Sequence, residues 1–107
     1  MSKRDGTAFI AEEDGDAIGL VAASMAHHFV GERAVEHVGV IAGCWVDPGY
    51  RMRGTARALT SAAGQWMRGE GAAYAEASYQ PANHEIREIW EALGYEASRE
   101  FARKRLE

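Results

Sequence analysis

Three arginines surround one glycine in a short turn of this chain. The turn spans residues 51–56, with Gly54 inside it and Arg51, Arg53 and Arg57 in or beside it. A glycine turn that opens a helix leaves backbone N–H groups unpaired beside the positive end of the helix dipole, so it binds anions. Two interpretations remain open on local chemistry: a strand–helix junction whose arginines face water, and a binding turn for a cofactor pyrophosphate.

Three strands are predicted before this turn. Residues 7–12 and 17–25 are apolar runs, and residues 13–16 between them predict a hairpin turn, because the Asp-Gly pair within them supplies the positive φ that a tight turn needs. Residues 27–36 are polar and contain a glycine, which predicts a loop. Residues 37–46 alternate and are rich in β-branched side chains, which predicts a strand that the following Asp-Pro-Gly ends.

A long amphipathic helix is predicted over residues 52–68. Its apolar residues recur at the spacing of one helix face: Leu59, Ala62, Ala63, Trp66 and Met67. Glycines end this helix, and residues 72–79 predict a short buried strand. A second amphipathic helix follows Pro-Ala-Asn, with Asn83 as its N-cap and Gly94 just past its end.

The fold predicted from this pattern is α/β. Two further strands are predicted at residues 95–98 and 101–106, so the order is β-β-β-α-β-α-β-(β) around a mixed, mostly antiparallel sheet with two main helices. A chain of 107 residues has room for one core, and we expect a single domain over residues 1–107.

Composition excludes several classes of partner. The sequence has no run of about 18 apolar residues, which argues against a membrane protein. A formal charge of -4 disfavours nucleic-acid binding, although the arginines suit a small polyanion. A single cysteine, Cys44, excludes an internal disulfide and fits the cytoplasm; it is more readily a small apolar strand residue than a nucleophile.

Taken in order, these motifs resemble the GCN5-related N-acetyltransferase (GNAT) superfamily. The run Val-Asp-Pro-Gly-Tyr-Arg-Met-Arg-Gly-Thr-Ala at residues 46–56 matches the acyl-CoA signature of that family at nearly every fixed position. The hairpin at residues 9–21 precedes it, and Pro-Ala-Asn at 81–83 and Trp-Glu-Ala-Leu-Gly-Tyr-Glu at 90–96 follow it in the family order. The resemblance favours the pyrophosphate interpretation and implies a GNAT-like acyl-CoA N-acyltransferase fold.

The resemblance also implies acetyl-CoA as the acyl donor, without a metal. Backbone N–H groups of the turn would bind its pyrophosphate, so Gly54 and Ala56 must be small. The strand end at Trp45 and Val46 would bind the pantetheine arm as an added strand. The cofactor-binding residues implied are Trp45, Val46, Arg51, Met52, Arg53, Gly54, Thr55, Ala56, Arg57 and Asn83.

The proton-transfer groups are where this sequence departs from the family. Acetyl transfer needs a neutral amine, a polarised thioester carbonyl and a proton for the thiolate; a backbone N–H near Val46 would polarise the carbonyl. Family members often have an acidic residue in the stretch corresponding to residues 40–43, and a tyrosine at the position of Trp90. Neither is present here. The remaining candidates are Tyr79 and Tyr95 as acids and Glu36 and His37 as bases, and each also has a structural interpretation.

Two other features bear on partners. His27 and His28 are adjacent in sequence, so in one strand they point to opposite faces, which is poor geometry for one metal and indicates surface or acceptor-cleft residues.

The hairpin begins shortly after Met1, where relatives have a strand and two helices. We therefore expect an exposed sheet edge that pairs with a second chain in a homodimer.

The leading functional hypothesis is an N-acetyltransferase that transfers an acetyl group from acetyl-CoA to a primary amine by direct attack. The acceptor would be a small-molecule amine or a peptide amine. The alternative is a catalytically degenerate acetyl-CoA or CoA-binding module with a sensor or assembly role, since the turn is kept and the usual proton-transfer residues are not.

Overall fold

The computed structural model of the chain describes residues 6–31, 34–51, 53–78, 84–97 and 102–106. The elements follow the predicted order β-β-β-α-β-α as far as the second helix, and the α/β architecture is confirmed. The elements are β1 (Gly6–Glu13), β2 (Asp16–Gly31), β3 (Ala34–Val46), a 3₁₀ turn (Pro48–Tyr50), α1 (Thr55–Gly69), β4 (Tyr74–Ala77) and α2 (His84–Ala92).

Within the described residues, the four strands form one sheet in the order β1-β2-β3-β4. The first three pair antiparallel, while β3 and β4 pair parallel because α1 connects them as a crossover. The β1–β2 turn is the predicted one: Asp14 and Gly15 both have positive φ, at 51° and 83°. In this sheet order β1 has one neighbour, and the expected homodimer through its other edge stays a prediction.

The loop predicted over residues 27–36 is wrong. β2 continues to Gly31 and β3 begins at Ala34, so the two strands form a long hairpin with cross-strand pairs such as His27 opposite His37. Polar residues occur in these strands because this end of the hairpin is exposed; both of these histidines are solvent-accessible. The polar residues of this segment therefore indicate an exposed pair of strands and not a loop.

The two C-terminal strands predicted at residues 95–98 and 101–106 are also wrong where the structure describes them. Residues 95–97 and 102–106 have no regular secondary structure. Tyr95 instead continues the end of α2, since its backbone N–H donates to the carbonyl of Trp90 at 3.0 Å. The last segment is charged and exposed, which gives it little apolar area to bury on the sheet.

Helix and strand limits differ from the prediction for identifiable reasons. α1 begins at Thr55 and not at residue 52, because Gly54 has a left-handed φ of 80° that no helical residue adopts. β4 covers only Tyr74–Ala77 of the strand predicted at 72–79. Gly94, with a φ of 95°, lies just past α2, which confirms the predicted end of that helix.

The core lies between the sheet and the helices. Its buried residues come from two strands and the apolar stripe of α1: Val21, Ala23, Ile41, Val46, Leu59, Ala63 and Met67. Trp90 of α2 also packs against this cluster. The Nη2 group of Arg57 donates to the carbonyl of Ala92 at 3.0 Å, which holds the end of α2 beside the start of α1. Both helices thus converge near the arginine turn.

Gly39 tests how closely α1 packs on the sheet. A Cβ atom at this position would overlap the Sδ atom of Met67 and lie 2.8 Å from its Cβ, so Gly39→Ala must displace a fully buried side chain. We expect a loss of about 1–3 kcal/mol in the free energy of unfolding, measured by urea denaturation. Gly43→Ala is the matched control, because a Cβ at Gly43 meets nothing within 4 Å. Equal stability of the two variants would contradict this packing.

In the part of the chain that the structure describes, neither helix is long and apolar enough to cross a membrane.

Candidate functional site

The N-terminus of α1 is an uncapped helix start. Gly54 is its N-cap residue, with φ 80° and ψ 6°, and no side-chain hydrogen bond caps it among the described residues. The N–H of Ala58 makes the first helical bond, to the carbonyl of Gly54 at 3.0 Å. The N–H groups of Thr55, Ala56 and Arg57 precede that bond and have no carbonyl one turn back. They are therefore available to an anion at the positive end of the helix dipole.

Space is also kept open at this helix start. A Cβ built on Gly54 would meet no atom within 4 Å, so packing inside the protein does not explain the glycine. The left-handed φ does require it, because most L side chains are strained there. Glycine thus serves two purposes: it makes the turn possible and it leaves the N–H groups accessible to a bulky anion such as a pyrophosphate.

The arginines around the turn have structural partners. Nε of Arg51 donates to the carbonyl of Val46 at 3.0 Å and fastens the turn to the end of β3. Arg53 lies over the ring of Tyr50, 5.1 Å from its centroid, and its Nη1 is 3.8 Å from Oε2 of Glu13. Because a guanidinium has five N–H donors, each arginine keeps others for a ligand. Their role as direct contacts with the cofactor stays a prediction.

β3 has an open edge next to this turn. It pairs with β4 from Val38 to Ile41, whereas residues 43–46 pair with β2 alone among the described residues. The N–H of Asp47 donates to the carbonyl of Ile18 on β2 at 2.8 Å. Because the backbone groups of a strand alternate in direction, those of Cys44 and Val46 face away from β2, toward the gap. A ligand with amide groups can bind there as an added strand.

The alternating direction of the backbone groups in β3 refines the backbone contacts expected for the cofactor. Trp45 is the partner of Leu20, so its own backbone groups point toward β2 and not into the gap. The backbone groups at the open edge are the N–H and carbonyl of Cys44 and the N–H of Val46, whose carbonyl accepts from Arg51. The sequence does not indicate Cys44 as a backbone contact, because it predicts a strand but not the neighbour toward which each residue of the strand directs its N–H and carbonyl groups.

A β-bulge marks the point where the open edge begins. Ala22 pairs with Gly43 and Ala23 pairs with Ile41, which leaves Ala42 as an extra residue in β3. The pairing with β4 ends at the same place, at Ile41. A bulge bends its strand and increases the local twist, so it favours a divergence of β3 from its neighbour. It lies in the stretch where a carboxylate was expected from the family pattern and is absent.

Tyr95 is the candidate acid that the structure brings near this edge. Its ring makes an edge-to-face contact with Trp90, with centroids 5.0 Å apart. Burial raises the pKa of Tyr95 above its ordinary value of 10.0, and the charge of an ionised Cys44, a residue of the open edge, raises it further. Burial likewise raises the pKa of the Cys44 thiol. At neutral pH the hydroxyl of Tyr95 is therefore protonated and can donate a proton.

The candidate bases lie elsewhere. His37 is seven residues from Cys44 along an extended strand, about 23 Å away at 3.3 Å per residue, and Glu36 is one residue farther. Nδ1 of His37 is bonded to Nδ1 of His27 and not to any group of the open edge. The structure thus separates both from the site. Three other candidates lie outside the described residues: Met52, Tyr79 and Asn83.

The sheet face opposite the helices carries an exposed apolar row. Ile10 pairs with Leu20, and Leu20 pairs with Trp45, so the three side chains lie side by side across β1, β2 and β3. Their exposed fractions are 59%, 40% and 49%. Trp45 thus places an accessible indole on this face, between the two residues whose backbone groups face the open edge.

Comparison with known proteins bears directly on this site. A family model described as "Acetyltransferase (GNAT) family" matches residues 1–95. An aminoglycoside N(6')-acetyltransferase type 1 from Salmonella typhimurium is 34% identical over 99 residues, which cover 91% of this chain and 68% of that protein. This chain therefore spans about two thirds of the length of that relative.

Among solved structures, the aminoglycoside N-acetyltransferase AAC(6')-Iy in complex with CoA is similar to this chain with a TM-score of 0.83 and 32% identity. The match covers 97% of this chain and 79% of that one. A second structure of AAC(6')-Iy holds the bisubstrate analogue CoA-S-monomethyl-acetylneamine; it has the same TM-score and identity, and the match covers 97% of this chain and 72% of that one. A solved protein with this fold and 32% sequence identity to this chain thus binds CoA.

Proposed function

This chain belongs to the acetyltransferase (GNAT) family and is an N-acetyltransferase that uses acetyl-CoA, and we propose that it acetylates a primary amine of an aminoglycoside or a related aminosugar. The main structural observation behind the proposed acetyl-CoA site is the uncapped start of α1 at Gly54 beside the open edge of β3. Support for the acceptor comes from the relatives, which are named for the 6'-amine of aminoglycosides. The cytoplasm is the proposed compartment, because a single cysteine suits a reducing environment.

The residues of the donor site fit acetyl-CoA in two ways. The N–H groups of Thr55, Ala56 and Arg57 would hold its pyrophosphate, and the accessible surface at Gly54 leaves room for it. The backbone of Cys44 and Val46 would hold the amide groups of its pantetheine arm. When bound, acetyl-CoA supplies the thioester carbonyl, which is the electrophile. A backbone N–H of the open edge would polarise that carbonyl.

Proton transfer is proposed to use Tyr95 and water. The hydroxyl of Tyr95 stays protonated at neutral pH, so it can donate to the departing thiolate. Position 42, at the bulge, is an alanine and offers no carboxylate to the incoming amine. Water at the open edge would therefore accept the proton that the amine loses. Orientation of the two substrates supplies much of the remaining rate acceleration.

The acceptor is proposed to bind on the sheet face that carries Trp45. The helices occupy the other face, so this face is where an amine can approach the open edge without displacing α1. An exposed indole can stack on the apolar face of a sugar ring and attract an ammonium group. The formal charge of -4 favours a polycationic acceptor in general.

A two-stage experiment tests the proposed function. Thermal-shift series with acetyl-CoA, CoA and ATP come first; we expect both CoA species to stabilise the protein by about 2.7 kcal/mol at a hundred times their Kd, and ATP to do less. Release of CoA thiol is then measured with an aminoglycoside that has a 6'-amine, one that has a 6'-hydroxyl, and a lysine peptide. Transfer is expected with the first alone.

Each stage has its own contradictory outcome. If neither CoA species stabilises the protein at millimolar concentration, the donor site is wrong. If the CoA species bind and the lysine peptide is the substrate, the donor site stands and the aminosugar acceptor is wrong. Binding with no thiol release from any amine would favour the alternative hypothesis, a CoA-binding module.

A further inference from the structure

Two histidines meet at the end of the β2–β3 hairpin, far from the open edge. His27 and His37 are direct cross-strand partners, and both are exposed. Their Nδ1 atoms are 2.7 Å apart, and their rings are nearly perpendicular, with centroids 4.6 Å apart and an interplanar angle of 86°. Two ring nitrogen atoms, each able to donate or accept, therefore lie within hydrogen-bond distance of each other.

The strand register fixes this arrangement. Side chains alternate along a strand, so His37 shares the sheet face of Gly39, which contacts Met67 of α1. His27 lies on the same face, two residues from Met25, which packs against the core. The paired strands therefore hold both imidazoles side by side where the cover of α1 ends, and little rotamer freedom must be lost to bring them together.

The chemistry of this pair is that of a chelate. In the protein alone, one Nδ1 must donate a proton to the other, because two like lone pairs would repel. Imidazole is the commonest protein ligand of transition metals, with metal–nitrogen distances of about 2.0–2.1 Å. Two such bonds at a right angle place the nitrogen atoms about 2.9 Å apart, and at a tetrahedral angle about 3.4 Å apart. The observed separation is close to the first value.

We propose that His27 and His37 form a two-histidine site for a divalent transition-metal ion that accepts right-angled ligands, namely Cu²⁺ or Ni²⁺. No group of three or more His, Cys, Asp or Glu side chains that could hold a metal occurs among the described residues, so water completes the coordination shell. The ion replaces the proton shared by the two rings and links β2 to β3. Cu²⁺ binds more tightly than Ni²⁺, as the general order of affinities requires.

This site is separate from acetyl transfer. It lies about 23 Å along β3 from Cys44, at the end of the hairpin where β3 is paired with β4. It also differs from the expectation made for His27 and His28, since the second ligand comes from the neighbouring strand and not from the next residue. Its effect is on the hairpin, which a bound ion stabilises in proportion to its occupancy.

The experiment uses protein without a histidine tag and without CoA, in a Cys44→Ser background, because a free thiol also binds these metals. Titration calorimetry with Ni²⁺ and Cu²⁺ is expected to give one ion per chain and a rise in the thermal midpoint. His27→Ala and His37→Ala should each weaken binding about a hundredfold, since each removes the chelate. His84→Ala, a histidine of α2, is the matched control and should bind as the parent does.

A second measurement avoids the variants altogether. Sub-stoichiometric Cu²⁺ added to the parent protein should broaden the imidazole NMR signals of His27 and His37 before those of the other two histidines. Equal broadening of all four, or unchanged affinity in a His27→Ala/His37→Ala double variant, would overturn the proposal. The pair would then serve only to hold the strands together through its hydrogen bond.

Discussion

Gly54→Asp is expected to weaken acetyl-CoA binding strongly while the chain still folds. The substitution places a carboxylate at the start of α1, beside the N–H groups of Thr55, Ala56 and Arg57. That carboxylate would compete for the same donors and repel a pyrophosphate. Because like charges brought together cost several kcal/mol, the Kd for acetyl-CoA should rise about a hundredfold or more. Titration calorimetry with acetyl-CoA measures it.

Gly54→Asn is the matched control for this prediction. Asparagine has nearly the shape of aspartate and also tolerates the left-handed conformation, so both variants carry a similar backbone cost of about 1 kcal/mol at a φ of 80°. Only the charge differs between them. If the Asn variant lost affinity as fully as the Asp variant, bulk alone would explain the glycine. If neither lost affinity, the pyrophosphate would bind elsewhere.

The turn around Gly54 could be predicted because its determinants are local. A positive φ, a helix start and a preceding Asp-Pro-Gly are each set by a few consecutive residues, and the same holds for the turn at Asp14 and Gly15. The apolar stripe of α1 is equally local, since Leu59, Ala63 and Met67 are buried as their spacing predicts.

The features that the sequence did not predict depend on partners distant in the chain. The bulge at Ala42 and the open edge of β3 arise from register against β2 and β4, which no run of residues encodes. The polar part of the β2–β3 hairpin has the sequence pattern of a loop, because its exposure depends on where α1 ends. His27 and His37 are ten residues apart, so only the pairing of two strands brings them together.

The arginines also have hydrogen-bond partners that the sequence does not reveal. Their charge and position correctly indicate a basic turn, but the carbonyl of Ala92 that Arg57 binds belongs to α2, 35 residues away. Arg51 fastens the turn to β3 through Val46. Part of the positive charge that the sequence assigns to a ligand thus also fixes the geometry of the site. Removing either arginine would change both binding and positioning, which makes Gly54 the clearer test.

The second large effect is expected at Tyr95. Tyr95→Phe removes one hydroxyl and keeps the ring that contacts Trp90 at 5.0 Å, so the fold should be unchanged. If the hydroxyl protonates the departing thiolate, kcat should fall about a hundredfold, equivalent to about 2.7 kcal/mol, while the KM for acetyl-CoA changes little. Steady-state thiol release with a saturating acceptor measures both constants. Tyr74→Phe is the control. Tyr74 is 63% exposed and lies on β4 opposite Val38, before the part of β3 that has the open edge.

The pH dependence of this variant separates chemistry from packing. An acid catalyst is active while protonated, and burial followed by the charge of Cys44 raises the pKa of Tyr95 above 10.0. The midpoint of the alkaline loss of activity of the parent should therefore lie above pH 10, and acid inactivation should come from protonation of the acceptor amine. In Tyr95→Phe the alkaline decline should disappear and the acidic one should remain. A kcat close to that of the parent at neutral pH would mean that water, and not Tyr95, protonates the thiolate, because the hydroxyl is the one group that the substitution removes.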